Sequence, residues 1–388
     1  MKFGREIRHL WELAPDAAFL NHGSFGACPR EVLAEQDRIR RRMEAEPDAF
    51  FREDVMPDGG AKMQRAALAR LAAFVHTTEE RIVFVENATV GVQAVLRSID
   101  FARGDRILIT DHTYNAVRLM VEARCAETGA VPVVARIPVP ASADSMVAAI
   151  EEASSAPIKL AILDHITSPT ALVFPLERIV PPLRARGARV LVDGAHAVGQ
   201  IPLDVPAVGA DWYVSNAHKW LWAPKGTAFL YASAEVAAIT RPNVVSHFIG
   251  MGFPQAFYFT GTRDNSAWLS TPAAIDFFER LDPPAARAYR TALLERSTAL
   301  MTSLGAEPAA PMDSCASMRS FVLPQRRAAV AEDAVSLMRG TWEKERVQSH
   351  GSAFNGRLLT RVSAQVYLDD QDLVRFRDTL ERHGWPGR

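Results

Sequence analysis

Val190-Leu191-Val192-Asp193-Gly194-Ala195-His196 is followed by Asp211-Trp212-Tyr213-Val214-Ser215-Asn216-Ala217-His218-Lys219-Trp220. Each run opens as a short apolar strand pattern, the first ending at Asp193 and the second near Ser215. An acid and a lysine at the ends of neighbouring buried strands can hold a pyridinium aldehyde. The lysine forms the imine and the acid pairs with the ring nitrogen. That chemistry points to pyridoxal 5′-phosphate. A bare carboxylate at Asp193 is costly to bury. Beside a protonated ring nitrogen it is paired, and it keeps the ring an electron sink. The plainer alternative for Asp193 is a cap on the following turn. His196 reads either as a cofactor contact or as a structural histidine.

Outward from these runs, short apolar segments alternate with amphipathic ones. Strands are predicted over 81–85, 106–110, 131–137, 158–163, 188–193, 212–215 and 227–231. Helices are predicted over 89–99, 115–128, 142–153 and 175–186. Near-continuous Val/Ile/Leu strands separated by helices imply an α/β fold with a mostly parallel sheet covered on both faces. In such sheets ligands sit beyond the carboxyl ends of the strands. Glu86-Asn87, Asp111-His112, Asp164-His165, Asp193 and Asn216 all fall there. Residues 241–261 lack a period and read as an ordered loop. Beyond them, helices are predicted over 271–280, 285–304, 328–339 and 370–383, and strands over 317–323, 346–349 and 358–362. The expected organisation is a large domain over 16–250 and a smaller α+β domain over 270–388 joined by residues 1–15.

Asn87-Ala88-Thr89-Val90-Gly91-Val92 follows a strand and opens a helix. Free N–H groups and a hydroxyl at a helix start suit a phosphate; a simple cap is the alternative. The chain has 388 residues with 44 basic against 45 acidic ones. That balance supplies no basic excess for a nucleic-acid partner. Its three cysteines are far apart, which argues against a disulfide framework and for a reducing compartment. No uncharged stretch approaches the ~20 residues of a membrane helix, and the first sixteen residues lack a signal-peptide core. A cytoplasmic protein without membrane partners is expected. The ten histidines show no HExxH, so no metal is expected. Gly250-Met251-Gly252 lacks the third glycine and the strand–turn–helix setting of a dinucleotide loop.

The chain resembles the class V aminotransferases among fold type I pyridoxal phosphate enzymes, and within them the isopenicillin N epimerase-like branch. Five runs carry the resemblance: Leu20-Asn21-His22-Gly23-Ser24-Phe25-Gly26, Asp164-His165-Ile166-Thr167-Ser168-Pro169-Thr170, Val192-Asp193-Gly194-Ala195-His196, His218-Lys219-Trp220-Leu221-Trp222-Ala223-Pro224 and Phe259-Thr260-Gly261-Thr262-Arg263-Asp264. It implies that Lys219 is the Schiff-base lysine and Asp193 the partner of the ring nitrogen. His196 and Ser168 match positions near the phenolic oxygen. Asn87, Ala88, Thr89, Asn216 and His218 fall on the phosphate side. Thr262 matches a residue given to the phosphate of a second subunit, which implies a homodimer with shared sites. Arg361 matches the arginine that grips the substrate carboxylate, a task suited to its bidentate geometry. Asn21 and His22, in the first run, are expected beside the substrate.

Asp111-His112-Thr113-Tyr114-Asn115 matches the loop that supplies the ring-stacking residue, so the resemblance implies Thr113 or Tyr114 for that role. Tyr114 is favoured because only it offers a π face. Cysteine desulfurases carry a nucleophilic cysteine in the loop ahead of the carboxylate arginine. Here that segment is Val347-Gln348-Ser349-His350-Gly351-Ser352-Ala353-Phe354, without one. Persulfide chemistry is therefore disfavoured. The expected reaction is epimerase-like proton movement at an amino-acid α-carbon, with aminotransferase or C–S/β-lyase activity as the alternative. Epimerisation needs a proton donor facing Lys219, for which Tyr114, His22 and His247 are candidates. Arg52 could meet a distal acidic group, or be a solvated helix arginine.

Overall fold

The computed structural model describes residues 2–386. A seven-stranded sheet has the spatial order Ile82–Val85, Ala228–Ala232, Trp212–Ser215, Arg189–Asp193, Leu160–Asp164, Arg106–Thr110, Val131–Ala135. Only Ala228–Ala232 runs against its neighbours; the other strands share one direction. The period-2 alternation of side chains splits their apolar residues between two cores. Ala161, Leu163, Val190, Val192 and Tyr213 belong to one core; Leu160, Ile162, Leu191, Trp212 and Val214 belong to the other. Helices Ala88–Ser98 and Asn115–Thr128 close the second face with Val92, Val95, Val117 and Val121. Helices Ala143–Ala153 and Leu176–Ala185 close the first with Met146, Ile150, Ile179 and Leu183. Each such side chain stabilises the layers by roughly 1.5–3 kcal/mol when fully buried.

The C-terminal third forms a four-stranded antiparallel sheet in the order His350–Phe354, Arg357–Ser363, Met318–Val322, Glu307–Pro308. Helix Ala331–Glu345 packs on it, and helix Asp370–His383 packs on that helix and on Ala18–Phe19. Ala18–Phe19 pairs in parallel with Val347–Gln348, and the Ser363 amide donates to Leu20 O at 2.9 Å. The N-terminal arm is thereby stitched to the small sheet and leads across to the strand ends of the large one.

Two expectations are corrected here. The segment 347–354, expected as a loop apart from a strand over 346–349, contains the strand His350–Phe354. It turns back through Asn355 and Gly356, both at positive φ (48° and 74°), into Arg357–Ser363. The helix expected over 328–339 runs instead from Ala331 to Glu345. Among the described residues, no helix is long and apolar enough to cross a membrane.

Candidate active site

The large sheet ends in a cavity of ≈ 260 Å³. Its lining includes Asp164, Asp193, His196 and Lys219, with Asn87, Thr89 and His218 at one end and Tyr114, Ser168 and Ser24 elsewhere around it. Asn87, Ala88, Thr89, Tyr114, Ser168, Asp193, His196, Asn216, His218 and Lys219, distant in sequence, thus meet in one place.

Lys219 sits on the short helix Ala217–Trp220, which follows directly from Trp212–Ser215. Gly26 holds φ +70°, and a Cβ there would lie 2.1 Å from His218 O, so only glycine lets the arm pass over this helix. Lys219 Nζ lies 3.3 Å from His196 Nε2. Burial pulls the lysine down to about 7, helped by the Arg361 charge and opposed by Asp193. His196 is also held well below its usual range, chiefly by burial and then by Lys219. Trp220 Nε1–H donates to His196 Nδ1 at 3.5 Å. A neutral His196 accepting there carries its proton on Nε2 and offers it to the Lys219 amine. Among the described residues no carboxylate lies within ion-pairing distance of Lys219.

Asp193 is buried, and its Oδ1 accepts one hydrogen bond, from the Ala195 amide at 3.0 Å. Parallel register sets Asp164 beside it. Burial raises both carboxyls, and the Asp193 charge raises Asp164 further. A cation is what such a pair lacks.

At the helix start, Asn87 Oδ1 accepts from the Val90 amide at 2.9 Å, and Asn216 Oδ1 accepts from the Ala88 amide at 2.8 Å. The Asn216 side-chain amide and the Thr89 hydroxyl are left for a ligand. His218 Nδ1 bonds Thr227 O at 2.9 Å, so the ring nitrogen left for the cavity is Nε2. These are donors suited to a phosphate.

Arg361 lies on Arg357–Ser363, fully buried. One guanidinium nitrogen donates to Ser168 O; the other lies 3.2 Å from Asn21 Oδ1 and 3.3 Å from Ser24 Oγ. Its Nε has no partner, and among the described residues no carboxylate pairs with it. Burial draws it down to about 9. A Cβ on Gly23 would lie 3.2 Å from Arg361 Nη2 and 2.6 Å from Met318 Sδ, so glycine makes the room.

Other expected contacts fall outside the cavity. His22 is fully buried, with Nδ1 2.7 Å from Tyr367 Oη and Nε2 2.9 Å from Lys219 O. Burial depresses it to about 3. Both nitrogens are occupied, so His22 supports the Lys219 backbone and is not placed to meet substrate or supply a proton. His112 is likewise closed, by Thr170 Oγ1 at 2.7 Å and Ile137 O at 3.1 Å. His247 packs near Phe248 and Phe259 and does not line the cavity. Arg52 is exposed and paired with Asp48 at 2.9 Å. Thr262 does not line this chain's own cavity. Tyr114 lines it and is 47% exposed.

Sequence reasoning does not single out Ser24, Phe25 and Ala195, which line the cavity, nor two further residues. Asp164 was seen at a strand end but not paired with Asp193, because strand order is not written in the sequence. His350 reads as part of a loop until the strand His350–Phe354 sets it opposite Arg361.

A family model described as Aminotransferase class-V matches residues 57–338. The chain is 30% identical to L-cysteine desulfhydrase of Arabidopsis thaliana, covering 94% of this chain and 87% of that one. It is also 30% identical to isopenicillin N epimerase of Streptomyces clavuligerus, over 97% of each. The apo cysteine desulfurase of Thermococcus onnurineus NA1 superposes with a TM-score of 0.81 over 99% of this chain and 98% of that one, at 17% identity. The architecture is thus fold type I of the pyridoxal phosphate enzymes.

Proposed function

The chain belongs to the class V aminotransferase family, a family of pyridoxal phosphate enzymes, and we propose that it is a C–S lyase. In this reading it removes the α-proton of an amino acid and expels a sulfur substituent from the β-carbon. The observation that carries α-carbon chemistry is that Lys219 shares its cavity with Ser168, whose carbonyl binds a buried Arg361 that has no carboxylate partner among the described residues.

The cavity fits the cofactor by its donor set: a lysine with no carboxylate partner among the described residues, a buried carboxylate pair, and a group of donors at a helix start. Lys219, Asp193 and the Asn87–Thr89 turn with His218 would hold it, and Tyr114 and His196 would flank it. Bound there, pyridoxal phosphate supplies an acceptor for the electron pair left at the α-carbon. Arg361 fixes the substrate carboxylate by charge-assisted hydrogen bonds. That orients the α-hydrogen toward Lys219, whose neutral amine takes it. His196 aligns the amine by their hydrogen bond.

Elimination is favoured over epimerisation because it needs only this one base. His22 is tied at both nitrogens and His247 lies outside the cavity, so two candidates for the second proton donor fall away. Cys28, Cys125 and Cys315 do not line the cavity, and burial raises each thiol, those of Cys28 and Cys315 to about 12 and 11. A persulfide-forming desulfurase is therefore not proposed. Epimerisation stands as the second reading, supported by Tyr114 at the cavity and by the relative matched over 97% of both chains. Aminotransferase activity draws no separate support.

Incubating amino acids in deuterium oxide separates these reactions. Pyruvate, ammonia and hydrosulfide from L-cysteine support elimination. Solvent deuterium at a scrambled α-carbon, without pyruvate, overturns it for epimerisation. A keto acid formed once per enzyme, without ammonia, overturns it for transamination. A homodimer sharing sites through Thr262 is also proposed, and Phe25 at the cavity, 70% exposed, is a surface a second copy would cover. Sedimentation showing only monomer would refute it. A cytoplasmic location remains a proposal that rests on composition.

A further inference from the structure

His350 stands directly opposite Arg361 in the antiparallel register. Opposed residues of such a pair project to the same face, with Cβ atoms about 4.5–5.5 Å apart. Neither residue lines the cavity itself, but from that face Arg361 reaches Ser168 and Ser24, which do, and Asn21, so the His350 ring lies on the sheet face that borders the cavity. Its Nδ1 is buried without a partner, and no described residue hydrogen-bonds either ring nitrogen. Other histidines differ: the buried His22, His112 and His196 are bonded at both nitrogens, and the half-buried His165 and His218 bond Tyr213 and Thr227. Burial, then the charges of Arg361 and Lys219, hold His350 well below the usual histidine range. At neutral pH it is an uncharged ring with one N–H to give. A buried polar atom without a partner, as Nδ1 of this half-buried ring is, costs stability, and a substrate atom gaining negative charge beside Arg361 and Lys219 would complete the ring's N–H.

We propose that His350 receives the sulfur on the substrate's β-carbon and sets the preference for amino acids that carry one. The inference rests on the C–S lyase reading. Lys219 Nζ takes the α-proton, and the Cβ–S bond breaks with its electron pair leaving on sulfur. The His350 N–H hydrogen-bonds that sulfur as it becomes a thiolate. Water then converts the remaining three-carbon fragment to pyruvate and ammonia, with no net oxidation. The lysine and arginine define where the α-carbon and carboxylate lie, and His350, beside the arginine and near the lysine in charge, faces the remaining substituent.

The test compares two reactions of the holoenzyme that differ only in the sulfur. One is hydrosulfide release from L-cysteine; the other is α-hydrogen exchange of L-alanine in deuterium oxide, followed by NMR. In H350A, kcat/KM for L-cysteine should fall roughly ten- to hundredfold, the worth of one hydrogen bond to a charged group. Alanine exchange and the cofactor absorbance should stay within about threefold of wild type, and H350Q, which keeps a donor, should recover part of the loss. Equal losses on both substrates, or no loss on L-cysteine, would overturn the assignment of His350 and leave the lyase reading standing. Wild-type enzyme that exchanges alanine but releases no hydrosulfide would overturn the lyase reading itself, and His350's role with it.

Discussion

Replacing Arg361 with alanine removes a buried cation that no described carboxylate neutralises. Its partners inside the protein are Ser168 O, Asn21 Oδ1 and Ser24 Oγ. Two effects on stability oppose each other. The variant no longer buries a charge, whose cost shows in a guanidinium drawn down to about 9. It also leaves those acceptors unpaired, at about 1–3 kcal/mol for a buried group. The folded state should survive with little change in Tm. Substrate binding has no such compensation. Truncating one partner of a buried, hydrogen-bonded charge pair costs about 2–5 kcal/mol, roughly 30- to 5,000-fold in kcat/KM. The decisive comparison is L-cysteine against cysteamine, the same molecule without the α-carboxylate. Wild type should discriminate strongly between them, and R361A should lose most of that discrimination while keeping the cofactor absorbance. If R361A weakened cofactor binding as much as substrate binding, or discriminated as well as wild type, Arg361 would not be the carboxylate site.

Asp193→Asn keeps shape but cannot pair with a charged ring nitrogen, so the holoenzyme should still form, with kcat down at least about a hundredfold; an unaltered kcat would remove Asp193 from its role. Without cofactor, Lys219 at about 7 should react with an acylating reagent along a titration centred there, whereas an ordinary lysine titrates near ~10.4; peptide mapping across pH reads this, and a midpoint near 10 would contradict it. The sign for stability follows: between about pH 7 and 10.4 the unfolded lysine binds the proton that the folded one has lost, so this group's contribution rises with pH over that window. Tyr114→Phe should leave cofactor affinity nearly unchanged and Tyr114→Ala should weaken it about 2- to 12-fold, the worth of one aromatic contact; equal weakening by both would mean the hydroxyl, not the face, is used.

The large sheet was readable because its strands are short, apolar and terminated by polar residues, and because helices such as Asn115–Thr128 carry one apolar stripe. Asp193 and Lys219 were legible for the same reason: each stands just past a strand that can only be buried. What stayed hidden depends on contacts distant in sequence. His22 reads as a free imidazole until Tyr367 closes one nitrogen and the Lys219 carbonyl the other. Asp164 reads as an isolated acid until strand order sets it beside Asp193. The strand at His350 did leave a local signal. Asn355-Gly356 is a hairpin turn pair, and recognising it would have folded 350–354 back against Arg361.

The central claim is that Lys219 holds the cofactor. Reduction of the holoenzyme with borohydride, followed by peptide mass spectrometry, measures it directly. The account predicts a pyridoxyl phosphate adduct on the peptide containing Lys219, at its Nζ. An adduct on another lysine, or a protein that added pyridoxal phosphate cannot colour, would contradict it.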